Sequence, residues 1–208
     1  MATFTADWFS HNIPNFTLIT NYYKRSSWSI DSILEIGSFE GRSTCWMLEN
    51  MLSDIGTISC VDPYTNYDVD RFSFAPTTID YSKPWASEIA AAQGLFRANT
   101  DEFKKPGQAV ELRTERSFKA LAQDIVDQKQ YDFIYVDGNH VADIVLADAC
   151  MAFPLLKKGG IMLFDDYLWD HVDDHLDRCK MTIDAFVNMY VKSTKILFVN
   201  YQLAILKL

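Results

Sequence analysis

The chain has 208 residues, 49% of them hydrophobic, enough for one well-buried domain, and no shift in composition marks a second. A formal net charge of −9 with no run of Lys or Arg argues against nucleic acid as a main partner, because phosphate contacts need clustered cations. No segment is long and apolar enough to cross a bilayer, and residues 1–15 lack the basic start and apolar core of a secretion signal, so a cytoplasmic protein away from the membrane is expected.

The four cysteines, at 45, 60, 150 and 179, have no CxxC spacing and read as thiols in a reducing compartment. Along the chain, aromatic and aliphatic residues around Pro14, among them Phe9, Phe16, Ile19 and Tyr23, predict a helical cap over residues 1–30. Residues 33–36 form an apolar run too short for an exposed helix. They end in Gly37-Ser38-Phe39-Glu40-Gly41, after which Cys45, Leu48, Met51 and Leu52 take helical spacing to about residue 54. A strand, a tight turn and a helix start are therefore expected here. Unpaired amides at a helix N-terminus, beside glycines that let a ligand approach the backbone, make such a turn a nucleotide site.

Which nucleotide is a question of local charge. A dinucleotide fingerprint needs glycine two residues after the first, and here that position is Phe39. Glu35, Glu40 and Asp62 surround the turn with carboxylates, which disfavours pyrophosphate. The same acids suit a ligand with ribose hydroxyls and positive charge, a description that S-adenosylmethionine meets. Asp62 ends a second predicted strand, residues 57–62, at about the interval where an acid meets a ribose.

Residues 63–84 hold Tyr64, Tyr67, Phe72, Phe74 and Tyr81 without a sustained period and read as a functional loop or lid. A helix over 85–104 follows, then a strand at 109–113, a helix N-capped by Ser117, and a strand at 131–136 ending in Asp137-Gly138-Asn139-His140. Next come a helix over 141–156, the turn Lys157-Lys158-Gly159-Gly160, a strand at 161–164 ending in Asp165-Asp166, and a helix over 178–191. Strands at 195–199 and 201–207, joined at Asn200, imply an antiparallel hairpin. Alternating strands and helices predict an α/β fold with a mostly parallel sheet covered on both faces. Gly37, Asp62, Asp137 and Asp165 would all lie at its ligand-binding carboxyl rim.

Three stretches, Glu35 to Thr44, Tyr131 to His140 and Leu155 to Ile161, together resemble the class I S-adenosylmethionine-dependent methyltransferases, and within them the small O-methyltransferases. The resemblance implies a Rossmann-like seven-stranded sheet with an antiparallel last strand, which puts Asp137 and Asp165 on adjacent strand ends. It assigns Glu35, Gly37, Ser38, Phe39, Gly41, Ser43, Asp62, Ser117 and Asp137 to the cofactor. In the metal-dependent branch, typified by catechol O-methyltransferase, the matching positions hold magnesium and read here Asp137, Asp165 and Asp166, with Asp where that branch has Asn. Some sugar O-methyltransferases of the macrolide-tailoring type share this Asp. The same resemblance makes His140 the general base beside catalytic Asp137. The expected reaction is methyl transfer to a hydroxyl of a small-molecule acceptor with Mg2+ assistance. A metal-independent N- or carboxyl-methyltransferase, a nicotinamide oxidoreductase and a non-catalytic binding module remain rival readings, and a homodimer stays open.

Overall fold

The computed structural model describes residues 1–65, 86–170 and 178–208. Seven strands form one sheet: β1 Ser32–Ile36, β2 Thr57–Val61, β3 Ala109–Arg113, β4 Tyr131–Val136, β5 Leu156–Phe164, β6 Thr194–Val199 and β7 Leu203–Lys207. The helices are α1 Ile13–Arg25, α2 Arg42–Asn50, α3 Ala86–Phe103, α4 Ser117–Val126, α5 Ala142–Ala152 and α6 Cys179–Met189. The strand order is β3-β2-β1-β4-β5-β7-β6, and β7 runs antiparallel to both of its neighbours. The Rossmann-like sheet with a reversed last strand is therefore as expected.

Strand alternation sorts the core. Leu34 and Ile36 of β1 enter a cluster with Leu121 of α4, Ala149 of α5 and Phe186 of α6, while Ile33 enters a second cluster with Phe16 of α1, Met47 of α2 and Phe96 of α3. Both faces of the sheet are thus covered, and all six residues of β4 are buried.

At the carboxyl rim the ladder continues one residue past each strand. Gly37 N donates to Val61 O (2.8 Å), Asp62 N to Arg113 O (3.1 Å), Asp137 N to Ile36 O (2.8 Å) and Asp165 N to Val136 O (3.0 Å). The four residues expected at one rim are there, each pinned to the neighbouring strand.

Element ends differ from expectation for local reasons. The second helix stops at Asn50 because the amides of Met51 and Leu52 both turn onto Met47 O. The fifth stops at Ala152, giving way to a 3-10 turn, Phe153–Leu155, around Pro154, which has no amide to continue the ladder. Ser117 is the first residue of α4, with Arg116 in the cap position. Residues 157–160 are not a turn before the fifth strand but a wide bulge inside it, opposite Asp132 alone. The N-terminal cap helix α1 braces this bulge, since Tyr23 Oη donates to Asp132 O (2.5 Å) and accepts from Ile161 N (2.8 Å). Most of the expected lid, residues 66–84, lies outside the described residues.

Candidate active site

The switch point of the sheet lies between β1 and β4, where neighbouring connections leave in opposite directions and a crevice opens. A cavity of about 710 Å³ opens above it, within the usual range for small-molecule sites. One wall is the glycine turn. Gly37 has φ +85°, and a Cβ there would lie 2.0 Å from the carbonyl oxygen of Asp137, so both the backbone angle and the clearance demand glycine. Gly41, with φ +78°, occupies the cap position of α2 and packs on the Phe96 ring.

Asp62 organises the turn from β2. One oxygen accepts from Ser38 N (3.0 Å) and Phe39 N (2.9 Å), and the other accepts from Tyr64 N (2.8 Å). Burial raises its pKa, and those three amides oppose the rise. Phe39 and Tyr64 both hold positive φ, 44° and 46°, and the Tyr64 hydroxyl donates to Phe39 O (2.9 Å). Strained backbone thus rims the cavity and is held by its own hydrogen bonds.

Gly37, Ser38, Phe39, Ser43, Asp62, Ser117 and Asp137, expected at the cofactor, all line this cavity; Glu35 and Gly41 do not. Glu35 is fully buried on the α2 face of β1, where its carboxylate accepts from the hydroxyls of Ser43 and Thr44 and from the Cys60 thiol. Burial pushes its pKa to about 7. It supports the turn from beneath. Glu40 is likewise occupied, accepting from Thr5 N (2.7 Å) and from the Thr5 hydroxyl. Arg42 Nε donates to Ala6 O (3.1 Å), so residues 5 and 6 are strapped across the turn and place Trp8 against Phe39, ring centroids 5.1 Å apart.

The opposite wall comes from β4 and β5. Asp137, His140 and Asp166 bring ligand atoms within 4.8 Å of one another, the arrangement of a possible metal centre among the described residues. His140 Nε2 lies 2.5 Å from Asp166 Oδ2, and Tyr201 Oη donates to Asp166 Oδ1 (2.7 Å). Burial works against the charged imidazole, but Asp166 outweighs it and raises the His140 pKa; His140 in turn lowers that of Asp166. Burial, then Asp165 and Asp166, push Asp137 well above the usual carboxylate range.

Asp165 departs from the expected ligand set. Its carboxylate accepts from Tyr135 Oη (2.5 Å), Gln202 Nε2 (3.0 Å), Asp166 N (2.9 Å) and, at 3.2 Å, Asn12 Nδ2. These bonds fill its lone pairs and tie β4 to the residues just ahead of α1 and of β7. The cluster that forms instead includes His140, expected as a base. Sequence reasoning missed Asn12, Tyr201 and Gln202, whose partners lie at least 35 positions away with no local signal. Glu115, two residues before Ser117, pairs with Arg113 (2.9 Å) and Lys119 (3.2 Å), while Arg116 lines the cavity.

A family model described as "Methyltransferase domain" matches residues 34–167. An uncharacterised protein of Acanthamoeba polyphaga mimivirus, R132, is 26% identical over 136 residues, covering 64% of this chain and 50% of that protein; the chain thus spans about half the length of this curated relative. Among solved structures, an O-methyltransferase from Bacillus cereus in complex with S-adenosylhomocysteine has a TM-score of 0.62 at 18% identity, covering 98% of this chain and 84% of that one. The O-methyltransferase NovP gives 0.65 at 15%, covering 94% and 79%. CalS11, a TDP-rhamnose 3'-O-methyltransferase of calicheamicin biosynthesis, gives 0.55 at 14%, covering 95% and 80%. At these identities the structures speak for the fold alone, and the family match covers well over half of the chain. The chain belongs to the methyltransferase-domain family and carries the fold of the O-methyltransferases.

Proposed function

We propose that the protein is an S-adenosylmethionine-dependent methyltransferase acting on a hydroxyl of a small molecule. The observation that carries this reading is that one cavity joins the glycine turn to the Asp137, His140, Asp166 cluster. The donor's fit rests on the turn. Gly37 leaves a ligand close access to the backbone, and Asp62 has lone-pair capacity beyond its three amide bonds for ribose hydroxyls. Asp62 and Asp137 face the cavity as acids whose ionised forms, disfavoured by burial, a cationic ligand would favour. When bound, S-adenosylmethionine supplies an electrophilic methyl group.

On the acceptor side, His140 takes the hydroxyl proton, and Asp166 with Tyr201 fixes the ring and stabilises the imidazolium. Trp169 stacks obliquely on His140 with centroids 5.1 Å apart, and Trp8 lies at the other lip, so a flat or sugar-bearing acceptor suits the opening. Methylation of a sugar hydroxyl by the similarly folded CalS11 is consistent with this. The four cysteines are unpaired, which supports a reducing, cytoplasmic setting.

Magnesium belongs to the proposal through Asp137 and Asp166, whose oxygens are the hard donors of the cluster. When bound, the ion would act as a Lewis acid on the acceptor oxygen. Asp165 could join only by giving up bonds to Asn12, Tyr135 or Gln202. The experiment is methyl transfer to a panel of phenolic and sugar hydroxyls, with and without EDTA. His140→Ala should lose about 10²-fold or more in kcat while S-adenosylhomocysteine still binds, and EDTA should abolish turnover that Mg2+ restores. Turnover that survives EDTA would instead favour the His140–Asp166 pair working without metal, the reading that their 2.5 Å contact favours.

A further inference from the structure

One buried group in the cavity wall has no part in the chemistry just described. Asp148 of α5 is 2% exposed, lines the cavity, and its Oδ1 has no hydrogen-bond partner among the described residues. Buried carboxylate oxygens without partners are rare, because each forfeits its hydration, so such an atom facing a cavity marks a place where a ligand donates. Its neighbour is Ser117, whose hydroxyl stabilises the charged form, and among the described residues no cation forms an ion pair with it. Ser117 opens α4 and Asp148 lies within α5, eight residues beyond His140.

We propose that Asp148 recognises the base of the methyl donor, its unpaired oxygen accepting the exocyclic amine of adenine. The proposal rests on the S-adenosylmethionine reading above and adds to it the residue that selects the nucleobase. The chemistry narrows the ligand. With ribose at Asp62 and the amino acid portion at Gly37, the remaining donor in the molecule is the 6-amino group of the base. Adenine presents that amine at the edge of the base, and Asp148, with one oxygen held by the Ser117 hydroxyl, keeps the other free to accept it. Burial raises the Asp148 carboxyl to about 7, so the preference is to be read above neutrality, at about pH 8.5, where the carboxylate only accepts. Hypoxanthine, with an oxygen in place of the amine, would set two acceptors against each other and leave Asp148 unpaired.

The test compares S-adenosylhomocysteine with S-inosylhomocysteine, its 6-oxo analogue, by calorimetric titration of the wild type, Asp148→Ala and Asp148→Asn. The wild type should prefer the adenine ligand by about tenfold or more, as a hydrogen bond to a charged or polarised group is worth. Asp148→Ala should erase the preference by losing adenine affinity. Asp148→Asn should narrow it while retaining adenine affinity, because an amide can accept from the 6-amino group or, flipped, donate to the 6-oxo group. Unliganded Asp148→Ala should melt no lower than the wild type, since it removes an unpaired buried carboxylate and little packing. Equal binding of the two ligands by the wild type, or equal weakening of both in Asp148→Ala, would overturn the assignment while leaving the cofactor reading intact. Failure of the wild type to bind S-adenosylhomocysteine at all would overturn both.

Discussion

His140 is held by one carboxylate at hydrogen-bond distance, and its acid-base behaviour follows from that contact. In metal-free protein its imidazole should titrate above 6.5, and Asp166→Asn should bring the midpoint down, followed by NMR of the ring protons. No shift on substitution would mean that Asp166 does not control the imidazole. Gly37 is equally exposed to test. Gly37→Ala should cost about 3 kcal/mol in denaturant unfolding, because a methyl group cannot share space with the Asp137 carbonyl and the backbone resists φ +85°. The glycines, Asp62 and Asp137 were legible in sequence because turn chemistry and strand ends are local signals. The inward turn of Glu35 was not read, although alternation put it on the face of Ile33, because its stabilising hydroxyls come from a different element. Asp165 was legible as a rim residue but not as a saturated one, for its donors come from β4 and from the segments just before α1 and β7.

At the scale of elements, the joint between α1 and the β5 bulge is the least redundant. Tyr23→Phe keeps the buried ring and removes the hydroxyl, leaving Asp132 O and Ile161 N unpaired inside the core. A loss of about 1–3 kcal/mol is expected from chemical denaturation, and a cost near zero would show that β4 and β5 hold their bulge without the brace. Sequence periodicity located every strand and helix found among the described residues, and it erred at their ends. Lys157-Lys158-Gly159-Gly160 looked like a turn because its composition is that of a turn. Trp28 against Gly159 and the ion pair of Lys157 with Asp132 (2.8 Å) fold it into the sheet instead, and such tertiary contacts leave no periodic trace.

For the whole molecule, the acids buried with raised pKa values set how stability follows pH. Glu35 titrates near 4.5 unfolded and about 7 folded, so between those values the native state binds more protons and stability falls as pH rises. The displacement corresponds to about 3 kcal/mol. Asp148, moved from 3.8 to about 7, acts in the same direction, and His140, raised from 6.5, contributes stability that is present below that value and lost above it. Asp132 and Glu111, lowered by Lys157, Lys129 and hydroxyl donors, act oppositely and lose their contribution only in stronger acid. Thermal unfolding should therefore show greatest stability near about pH 5 rather than at neutrality, and Glu35→Gln should flatten the decline between pH 5 and 8.

The last strand enters between β5 and β6, and the residues just ahead of it, Tyr201 and Gln202, hold Asp166 and Asp165. During synthesis the sheet therefore waits for its final segment. A chain that ends at Asn200 already carries the glycine turn and the carboxylates at the carboxyl rim, with Asp165 held by Tyr135 and Asn12 and Asp166 by His140, and lacks only the bonds from Gln202 and Tyr201. A chain clipped before Tyr201 is therefore expected to lose the second hydrogen bond of Asp166 and the Gln202 bond of Asp165 while keeping the glycine-turn wall of the cavity.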